Sequence, residues 1–418
     1  MKNGDNKTTT QKRSGPALAA ADFGSAAVRV LVAEAPDEHS IRLLGIGEAP
    51  TGGIREGRVV NIEQATAAFG NALKEAEIMS KCKVQSVWPA VAGEHISGVN
   101  TTGSTVISEM SVSVSDISKV KAMARAEVAP RTNMRVIATL ERDYEVDGQK
   151  GVQKPLGMSG HKLSGDMHLV LASANVLADL EKCMLQCGVE VENQFVFSGL
   201  GAACSVLTDD EKRLGVCVAD IGAGTTDVAV YSGGVVCKTF SIPIASDDIH
   251  NDIAHMHHAS MESAERAKKQ IGLTGDGGEF VSLSEVGGDG ESRQSMHVMR
   301  DTISHRVDEI LETVANRLAP YGSESRPLSA GVVLVGDGAL MPGITEAAAA
   351  KLNMPARVGH ARYRGENHER VTAPRFATSM GLLSMAATHR YESAHRRRQE
   401  GFLADFSSWW RKLLTDKS

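Results

Sequence analysis

Two stretches that lie far apart in the chain, residues 21–28 and 219–228, share one sequence pattern. Each has an apolar run, an Asp, a hydrophobic residue, a Gly with small or hydroxyl neighbours, and a second apolar run. The pattern predicts a strand, a tight turn and a second strand. Glycine lets backbone N–H groups converge on an anion, because it adds no side-chain bulk to the turn. One copy is also typical of an ordinary hairpin, but two copies predict two similar domains that face each other across a nucleotide.

The two turns contain the candidate phosphate ligands. Asp22 and Asp220 end the first strand of each hairpin and are predicted to hold a hydrated Mg²⁺ through water, since Mg²⁺ retains most of its water ligands. The sequence does not identify a definite catalytic residue. The two candidates are Asp220 as a general base and a water molecule held by Thr225. The candidates for phosphate binding are Asp22, Gly24, Ser25, Ala26, Asp220, Gly222, Ala223, Gly224, Thr225 and Thr226.

A third stretch, residues 331–339, has a buried-strand pattern that runs into a glycine-rich turn. Small residues in this turn, Gly336, Asp337 and Gly338, would let an adenine ring and ribose lie flat against the backbone. Taken alone, the stretch favours a plain strand-to-helix turn. As the third element after two phosphate turns, it resembles the order of nucleotide-binding turns in the superfamily of actin, hexokinase and the heat-shock chaperones. This resemblance implies ATP as the nucleotide.

Further segments narrow the resemblance to one family. Residues 45–57 and 92–97 resemble an early loop and the start of an inserted subdomain in FtsA, the actin-like protein family of the bacterial division ring. Residues 199–208 and 378–383 resemble the two connector helices of that family. The similarity covers about residues 17–390, and the chain is identified as a member of the FtsA family.

The resemblance implies an α/β fold with two actin-like core subdomains, in which helices flank mixed sheets, together with an inserted subdomain and a C-terminal amphipathic helix. The composition also predicts a disordered polar tail at the start of the chain and a charged linker near its end. The expected divisions are the tail (1–15), subdomain 1A (16–92, 173–207 and 376–388), the insert 1C (93–172), subdomain 2A (208–247 and 311–375), subdomain 2B (248–310), the linker (389–401) and the amphipathic helix (402–416). Within the insert, residues 135–140 and 167–171 are strand candidates.

Subdomain 2B contains a candidate adenosine contact. Glu265 and Lys268 are three residues apart and share one face of a predicted helix. In actin-like proteins such a pair meets the ribose and adenine, so the resemblance implies that role here. The spacing alone is equally typical of a surface ion pair.

Three positions depart from the family pattern. Ala27 stands where the first turn usually carries Lys, Ala223 stands where Gly is common, and Asp337 places a carboxylate where a second Gly is common. Arg29 lies two residues further along the same face of the strand, and the spacing leaves open whether it replaces the Lys. Because phosphoryl transfer depends on positioning and charge compensation, we expect at most weak ATPase activity.

The last residues form an amphipathic segment. On a helical wheel with about 100° per residue, the large apolar residues of 402–414 fall on one face, within about 140°. Trp suits the lipid headgroup region and the basic residues suit anionic lipid, so the segment predicts a membrane-binding helix, with docking on the protein's own core as the alternative. The predicted membrane contacts are Phe402, Leu403, Phe406, Trp409, Trp410, Arg411, Lys412, Leu413 and Leu414.

The composition limits other interpretations. The net charge of −6 does not suggest a nucleic-acid partner. The six Cys lack paired CxxC spacing, which predicts free thiols in a reducing cytosol. No apolar run reaches transmembrane length and no signal peptide is recognisable. The cluster of His250, His255, His257 and His258 lacks supporting Cys or carboxylate ligands, so we do not predict a metal site there.

The family resemblance implies a cell-division function. Such a protein would bind MgATP, form filaments through 1C and 2B on the cytoplasmic face of the inner membrane at the division site, and bind the C-terminal peptide of the tubulin-like FtsZ through 2B. It would also recruit later division proteins. The alternatives within the superfamily are a sugar or acetate kinase, which would need a substrate pocket with a catalytic Asp, and a pilus-assembly actin-like protein. A heat-shock chaperone would need a peptide-binding domain after the core.

Overall fold

The computed structural model of the protein describes residues 17–37, 40–128, 133–275, 278–287, 290–321 and 328–393. The predicted first hairpin is present, because the first two strands pair antiparallel around the turn at residues 24–26. The elements before the insert are β1 (Leu18–Phe23), β2 (Ala27–Glu34), β3 (Arg42–Pro50), β4 (Ile54–Arg55), β5 (Arg58–Val59), α1 (Ile62–Ser80) and β6 (Ser86–Val91).

The insert follows as a strand, a helix and three more strands. Its elements are β7 (Ser97–Val106), α2 (Val114–Ala126), β8 (Met134–Val146), β9 (Gln149–Val152) and β10 (Lys162–Ser173). The strand candidates at 135–140 and 167–171 lie in β8 and β10, which pair antiparallel. Helix α2 crosses β7 closely at Gly103, where an added Cβ would overlap the Val120 carbonyl oxygen.

The rest of the described chain completes the first sheet and forms a second one. Its elements are α3 (Ala174–Gln186), β11 (Glu190–Val191), β12 (Val196–Phe197), α4 (Ser198–Val206), α5 (Asp209–Leu214), β13 (Val216–Ile221), β14 (Thr226–Ser232), β15 (Val235–Ile242), α6 (Ser246–His257), α7 (Met261–Ile271), β16 (Phe280–Ser284), β17 (Glu291–Ser295), α8 (Met296–Leu318), β18 (Val332–Val335), α9 (Ile344–Leu352), β19 (Ala356–Val358), α10 (His368–Val371) and α11 (377–393), with 3₁₀ turns at Asp337–Leu340 and Pro374–Phe376.

The two main sheets repeat one arrangement. The first domain has the order β11-β6-β1-β2-β3, and the second domain has β19-β18-β13-β14-β15. In both, the hairpin is antiparallel and the strand on its other side is parallel. The register is also repeated, because Asp22 lies opposite Arg29 and Asp220 lies opposite Asp227. The duplication predicted from the two turn sequences is therefore a duplication of whole domains.

Each sheet is covered by helices, which explains its continuous apolar strands. Every residue of β2 is buried. Helix α1 starts at Asn61, whose side chain accepts a hydrogen bond from the Gln64 amide, and it packs an Ala-rich face on β3. Gly47 permits this close approach, because an added Cβ would overlap the Ala72 carbonyl oxygen.

The insert contacts the second domain as well as the first. Its β7 pairs with β15 at Ser97 and Phe240, so the insert sheet continues the second sheet. Beside this pairing, the buried ring of His168 hydrogen-bonds Asn100 at 2.6 Å and Thr239 at 2.9 Å. The sequence patterns did not indicate this continuous sheet.

Two helices that join the domains cross at glycines. Helix α4 precedes the second hairpin and α11 follows the third turn. An added Cβ on Gly381 would overlap the Gly201 carbonyl oxygen, and Ser205 Oγ donates to the Ala377 carbonyl at 2.7 Å. The two segments that resembled connector helices therefore pack directly against each other.

The expected linker boundary at residue 389 falls inside α11. The ring of His389 lies edge-on to Trp88 with 5.4 Å between centroids, and the Tyr391 hydroxyl donates to the Pro36 carbonyl at 3.3 Å. Residues 389–393 thus pack on the first domain despite their charge. The expected tail at 1–15, the rest of the linker and the amphipathic helix at 402–416 lie outside the described residues. Within the described ranges, no helix is long and apolar enough to cross a membrane.

Candidate functional site

The turns of the two hairpins face each other across the cleft between the domains. They come so close that a Cβ added to Gly224 would lie 2.8 Å from Ser25 Oγ. A cavity of about 60 Å³ lies between them. The predicted phosphate ligands that line it are Asp22, Gly24, Ser25, Ala26, Asp220, Gly222, Ala223, Gly224 and Thr225.

Thr226 is the exception among the predicted phosphate ligands. It is fully buried, and its Oγ1 donates to the Ile244 carbonyl at 2.8 Å. Because alternate residues of a strand point to opposite faces, the structure brings Thr225 to the cavity and Thr226 to the core beneath it.

The turns need glycine because a Cβ would not fit there, and not because the backbone is left-handed. None of Gly24, Gly222 and Gly224 has a positive φ. A Cβ added to Gly24 would lie 2.8 Å from the Ala27 carbonyl oxygen, and one on Gly222 would lie 3.1 Å from the Thr225 carbonyl oxygen. The turns therefore stay narrow and leave their backbone accessible, as a phosphate site requires.

A larger cavity of about 410 Å³ adjoins the first and shares Ala26, Ala223, Asp337 and Arg375 with it. Its walls include the predicted adenosine contacts Glu265, Lys268, Asp337 and Gly338, whereas Gly336 lines the smaller cavity. Gly336 has φ +83°, and an added Cβ would overlap the end of β13. Only glycine adopts this positive φ readily and also lacks the Cβ that would overlap β13.

Glu265 and Lys268 both reach the larger cavity but are not hydrogen-bonded to each other. Glu265 pairs with Lys269 at 2.6 Å. Lys268 is buried, and its Nζ donates to the Ser246 carbonyl at 2.9 Å. Burial lowers the pKa of Lys268, partly opposed by the charges of Asp247 and Glu265. The surface ion pair of Glu265 is thus with Lys269, and not with Lys268 as the three-residue spacing had allowed.

Carboxyl groups converge at the base of the smaller cavity. Burial raises the pKa of Asp22 to about 6 and that of Asp220 to about 7, and repulsion from Asp227 adds to both shifts. Burial also raises the pKa of Asp227. The charge of Arg29 lowers both pKa values but only partly offsets the effect of burial. The arrangement suits a hydrated Mg²⁺, which Asp22 and Asp220 would hold through its water ligands.

Asp227 and Thr378 are site residues that the sequence analysis did not select. Thr378 Oγ1 donates to Asp220 at 2.9 Å, and Thr225 Oγ1 donates to Asp227 at 2.9 Å. The amide of Gly93, at the start of the insert, donates to the other oxygen of Asp227 at 3.3 Å. The duplication itself could have revealed Asp227, because it repeats the position of Arg29 in the first hairpin.

Arg29 and Asp337, two positions of interest in the sequence, form an ion pair across the cleft. Arg29 Nη2 lies 3.0 Å from Asp337 Oδ2, and Arg29 Nε lies 2.8 Å from Glu48 Oε1. Burial disfavours the charged guanidinium, but Asp22, Asp337 and Glu48 outweigh it and raise the pKa of Arg29. Arg29 therefore lines the smaller cavity as a permanent cation.

The described residues contain no group of three or more His, Cys, Asp or Glu side chains placed to hold a metal ion directly. In the cluster of four His, His257 hydrogen-bonds Gln294 and Thr302, while His250 lies 3.2 Å from Lys268 Nζ. All six Cys are free, and four of them are buried.

Comparison with known proteins places this fold and cleft in one family. Residues 217–381 match the family model "Cell division protein FtsA", and residues 93–171 match "SHS2 domain inserted in FTSA". The Cell division protein FtsA of Pseudomonas aeruginosa is 35% identical over 375 residues, with 89% of each chain covered. That of Escherichia coli K12 is 31% identical over 372 residues, covering 87% of this chain and 88% of the relative.

The chain belongs to the FtsA family. It is therefore an actin-like cell-division protein, which confirms the family identification from the sequence. Neither the kinase nor the pilus-assembly alternative is favoured by these relatives.

Solved structures show the same fold at low sequence identity. The "PilM-PilN type IV pilus biogenesis complex" gives a TM-score of 0.61 at 14% identity, covering 89% of this chain and 98% of the other. MreB5 of Spiroplasma citri bound to ADP gives 0.52 at 14% identity, covering 93% and 99%. These similarities support the actin-like fold, with mixed sheets and flanking helices.

Proposed function

We propose that this FtsA family member binds MgATP between its two domains, assembles into filaments, and attaches FtsZ to the cytoplasmic face of the inner membrane at the division site. The observation that carries the nucleotide proposal is the convergence of two equivalent hairpin turns on one cavity, with a larger cavity beside it. The phosphates would lie between the turns. The adenosine would lie against the third turn, Glu265 and Lys268.

Mg²⁺ would add positive charge beside the cleft carboxylates and would stabilise the negative charge of the phosphates. Asp22 and Asp220 would orient its water ligands. Asp220 is also the candidate general base, because its carboxylate lines the cavity between the two turns. Thr225 already donates to Asp227, so its part in holding water would require that bond to rearrange. We propose that hydrolysis is at most slow.

Self-association would use the insert and the helical subdomain formed by α6–α8 with β16 and β17, the expected 2B. Exposed apolar side chains occur on both, which supports a heterologous, head-to-tail contact that does not close on itself. On the insert they are Val106, Met110, Val114 and Leu156, and on the helical subdomain they are Met256, Met261 and Val286. The same helical subdomain would bind the C-terminal peptide of FtsZ, and later division proteins would join the assembled filaments.

The membrane contact would come from residues 402–414, on the strength of their sequence. Burying their apolar face would remove about 500 Å² of apolar surface from water, which is on the order of 10 kcal/mol before ordering costs. Those costs leave weak binding for one molecule. Filament formation would then strengthen attachment through multivalency.

Recruitment of FtsZ to liposomes tests the proposal as a whole. Purified protein, Mg²⁺ and ATP are mixed with anionic liposomes and fluorescent FtsZ, and co-sedimentation of FtsZ is measured. We expect recruitment that depends on both the protein and ATP. Gly24→Val should abolish it, because the added side chain meets the Ala27 carbonyl oxygen within the first turn.

The matched control is Gly70→Val on α1. A Cβ at Gly70 has Cys187 Sγ, at 3.4 Å, as its nearest neighbour outside the helix, and it lies in the middle of α1. This variant should recruit FtsZ like the wild type. Undiminished binding of labelled ATP by both Gly24→Val and Gly222→Val would contradict the assignment of phosphate to these turns.

A further inference from the structure

The ion pair between Arg29 and Asp337 joins the two domains at the phosphate cavity. Arg29 is on β2 of the first domain, and Asp337 follows β18 of the second domain. The Arg29 side chain is 10% exposed, whereas that of Asp337 is 39% exposed. Glu48, the other partner of Arg29, is 22% exposed. The guanidinium therefore has a more buried partner, Glu48, in the first domain and a more exposed partner, Asp337, in the second.

Arg29 also faces the first phosphate turn. Its Nη1 lies 3.9 Å from the position of a Cβ on Gly24, and the guanidinium packs over the Phe376 ring at 5.7 Å. Glu48 and Asp337 engage Nε and Nη2, and no hydrogen bond of Nη1 is found within the described part of the chain. A guanidinium has five donors in one plane and stays charged, so it binds carboxylate and phosphate oxygens in the same way.

We propose that Asp337 occupies the place of a nucleotide phosphate on Arg29, and that incoming ATP displaces it. Glu48 keeps the guanidinium oriented while Nη2 exchanges Asp337 for a phosphate oxygen and Nη1 donates to a second phosphate oxygen. Arg29 is then the residue that positions the phosphates, and Asp337 is an internal competitor that lowers ATP affinity. This inference rests on the proposed MgATP site and adds a regulation of it.

A simpler effect of Asp337 would be direct repulsion of the phosphates. The two mechanisms differ in whether Asp337 acts through Arg29, and a double-mutant cycle measures that dependence. Under the exchange mechanism, removing the charge of Asp337 improves ATP binding only while Arg29 is present. Under direct repulsion, the improvement persists after Arg29 is replaced.

The experiment measures the Kd of the full-length protein for MgATP and for adenosine by calorimetry or fluorescence. Asp337→Asn should tighten ATP binding on the order of tenfold, and Arg29→Ala should weaken it by at least about tenfold. Adenosine, which lacks phosphates, should bind the Arg29 variants as tightly as it binds the wild type. Arg29→Lys should recover part of the ATP affinity because it restores a cation. The matched control, Lys351→Ala, breaks the Lys351–Glu312 ion pair at 2.9 Å away from the cleft and should change neither affinity.

The double-mutant cycle distinguishes the exchange mechanism from direct repulsion. In the Arg29→Ala background, Asp337→Asn should alter ATP affinity less than about twofold. A tenfold gain in that background, or weaker ATP binding by Asp337→Asn alone, overturns the exchange mechanism while leaving the ATP site intact. Equal loss of ATP and adenosine binding in Arg29→Ala also overturns it, because the effect would then be structural. A wild-type protein that binds neither ligand overturns the proposed function together with this inference.

Discussion

The carboxyl cluster in the cleft should make the stability of the nucleotide-free protein depend on pH through Asp220. Burial, with repulsion from Asp227 and Asp22, raises its pKa from 3.8 to about 7. Between these two values the folded protein binds a proton that the unfolded chain has already lost. The free energy of unfolding therefore falls as pH rises through this window, and the loss is complete above the folded-state pKa.

The magnitude follows from the difference between the two pKa values. A rise from 3.8 to about 7 corresponds to roughly 4 kcal/mol, at about 1.4 kcal/mol per pKa unit. The residue is only half-buried and water reaches the cleft, so we expect on the order of 1–3 kcal/mol. Asp220→Asn removes the titration and retains an oxygen that can accept the hydrogen bond from Thr378.

The expected result is a stability difference, Asp220→Asn minus wild type, that grows by on the order of 1–3 kcal/mol between about pH 5 and pH 8. Urea denaturation of metal-free, nucleotide-free protein at several pH values measures it. Burial lowers the pKa values of His95 and His168 to about 4. Their contributions to stability are common to both proteins and cancel when the difference is taken at each pH. Those His residues act in the opposite direction, because their contribution to stability is lost as pH falls below about 6.5.

The matched control is Asp308→Asn, the same substitution at an exposed carboxylate on α8. The variant at Asp220 should also lose MgATP binding while gaining stability at high pH. A difference for Asp220→Asn that stays flat across the pH range would refute the reasoning, since it would mean that the carboxylate is already compensated in the empty cleft.

Three further predictions concern other parts of the chain. Gly381→Val should lower the free energy of unfolding by about 3 kcal/mol or more, because its side chain overlaps the Gly201 carbonyl oxygen. A denaturation midpoint equal to that of wild type would argue against this helix crossing. The ring of His168 should titrate near pH 4, because burial lowers its pKa to about 4; an NMR titration midpoint near its ordinary value of 6.5 would contradict the buried contact between insert and second domain. Trp410→Glu should prevent sedimentation with anionic liposomes and leave ATP binding unchanged, since it places a charge within the predicted apolar face. Sedimentation like that of wild type would show that residues 402–414 do not anchor the protein.

Local patterns were sufficient for the elements that make up the site. The two hairpins were predictable because an apolar run, an Asp and a glycine turn specify strand, turn and strand within about ten residues. Their repetition then indicated the duplicated domains, since two turns of the same kind imply two sheets of the same kind. The connector helices and the family were predictable from the order of several short segments.

Positions within a strand were harder to assign. Thr225 and Thr226 are adjacent and chemically equivalent in the sequence, yet the first lines the cavity and the second is buried beneath it. The sequence places both in the turn region but does not say which face of β14 meets the cleft. Asp227 was missed for the same reason, although its position repeats that of Arg29 in the other hairpin.

The sequence by itself determined the two hairpin turns, the third turn and the family, because each depends on residues that are neighbours in the chain. Only the tertiary structure decided that Arg29 meets Asp337 and that the insert continues the second sheet at Phe240. These contacts join residues that are far apart in the chain, and they form only when two separately folded domains dock in one orientation. The Gly201–Gly381 crossing is another contact of this kind, because the permitted distance between its two helices depends on the absence of a side chain.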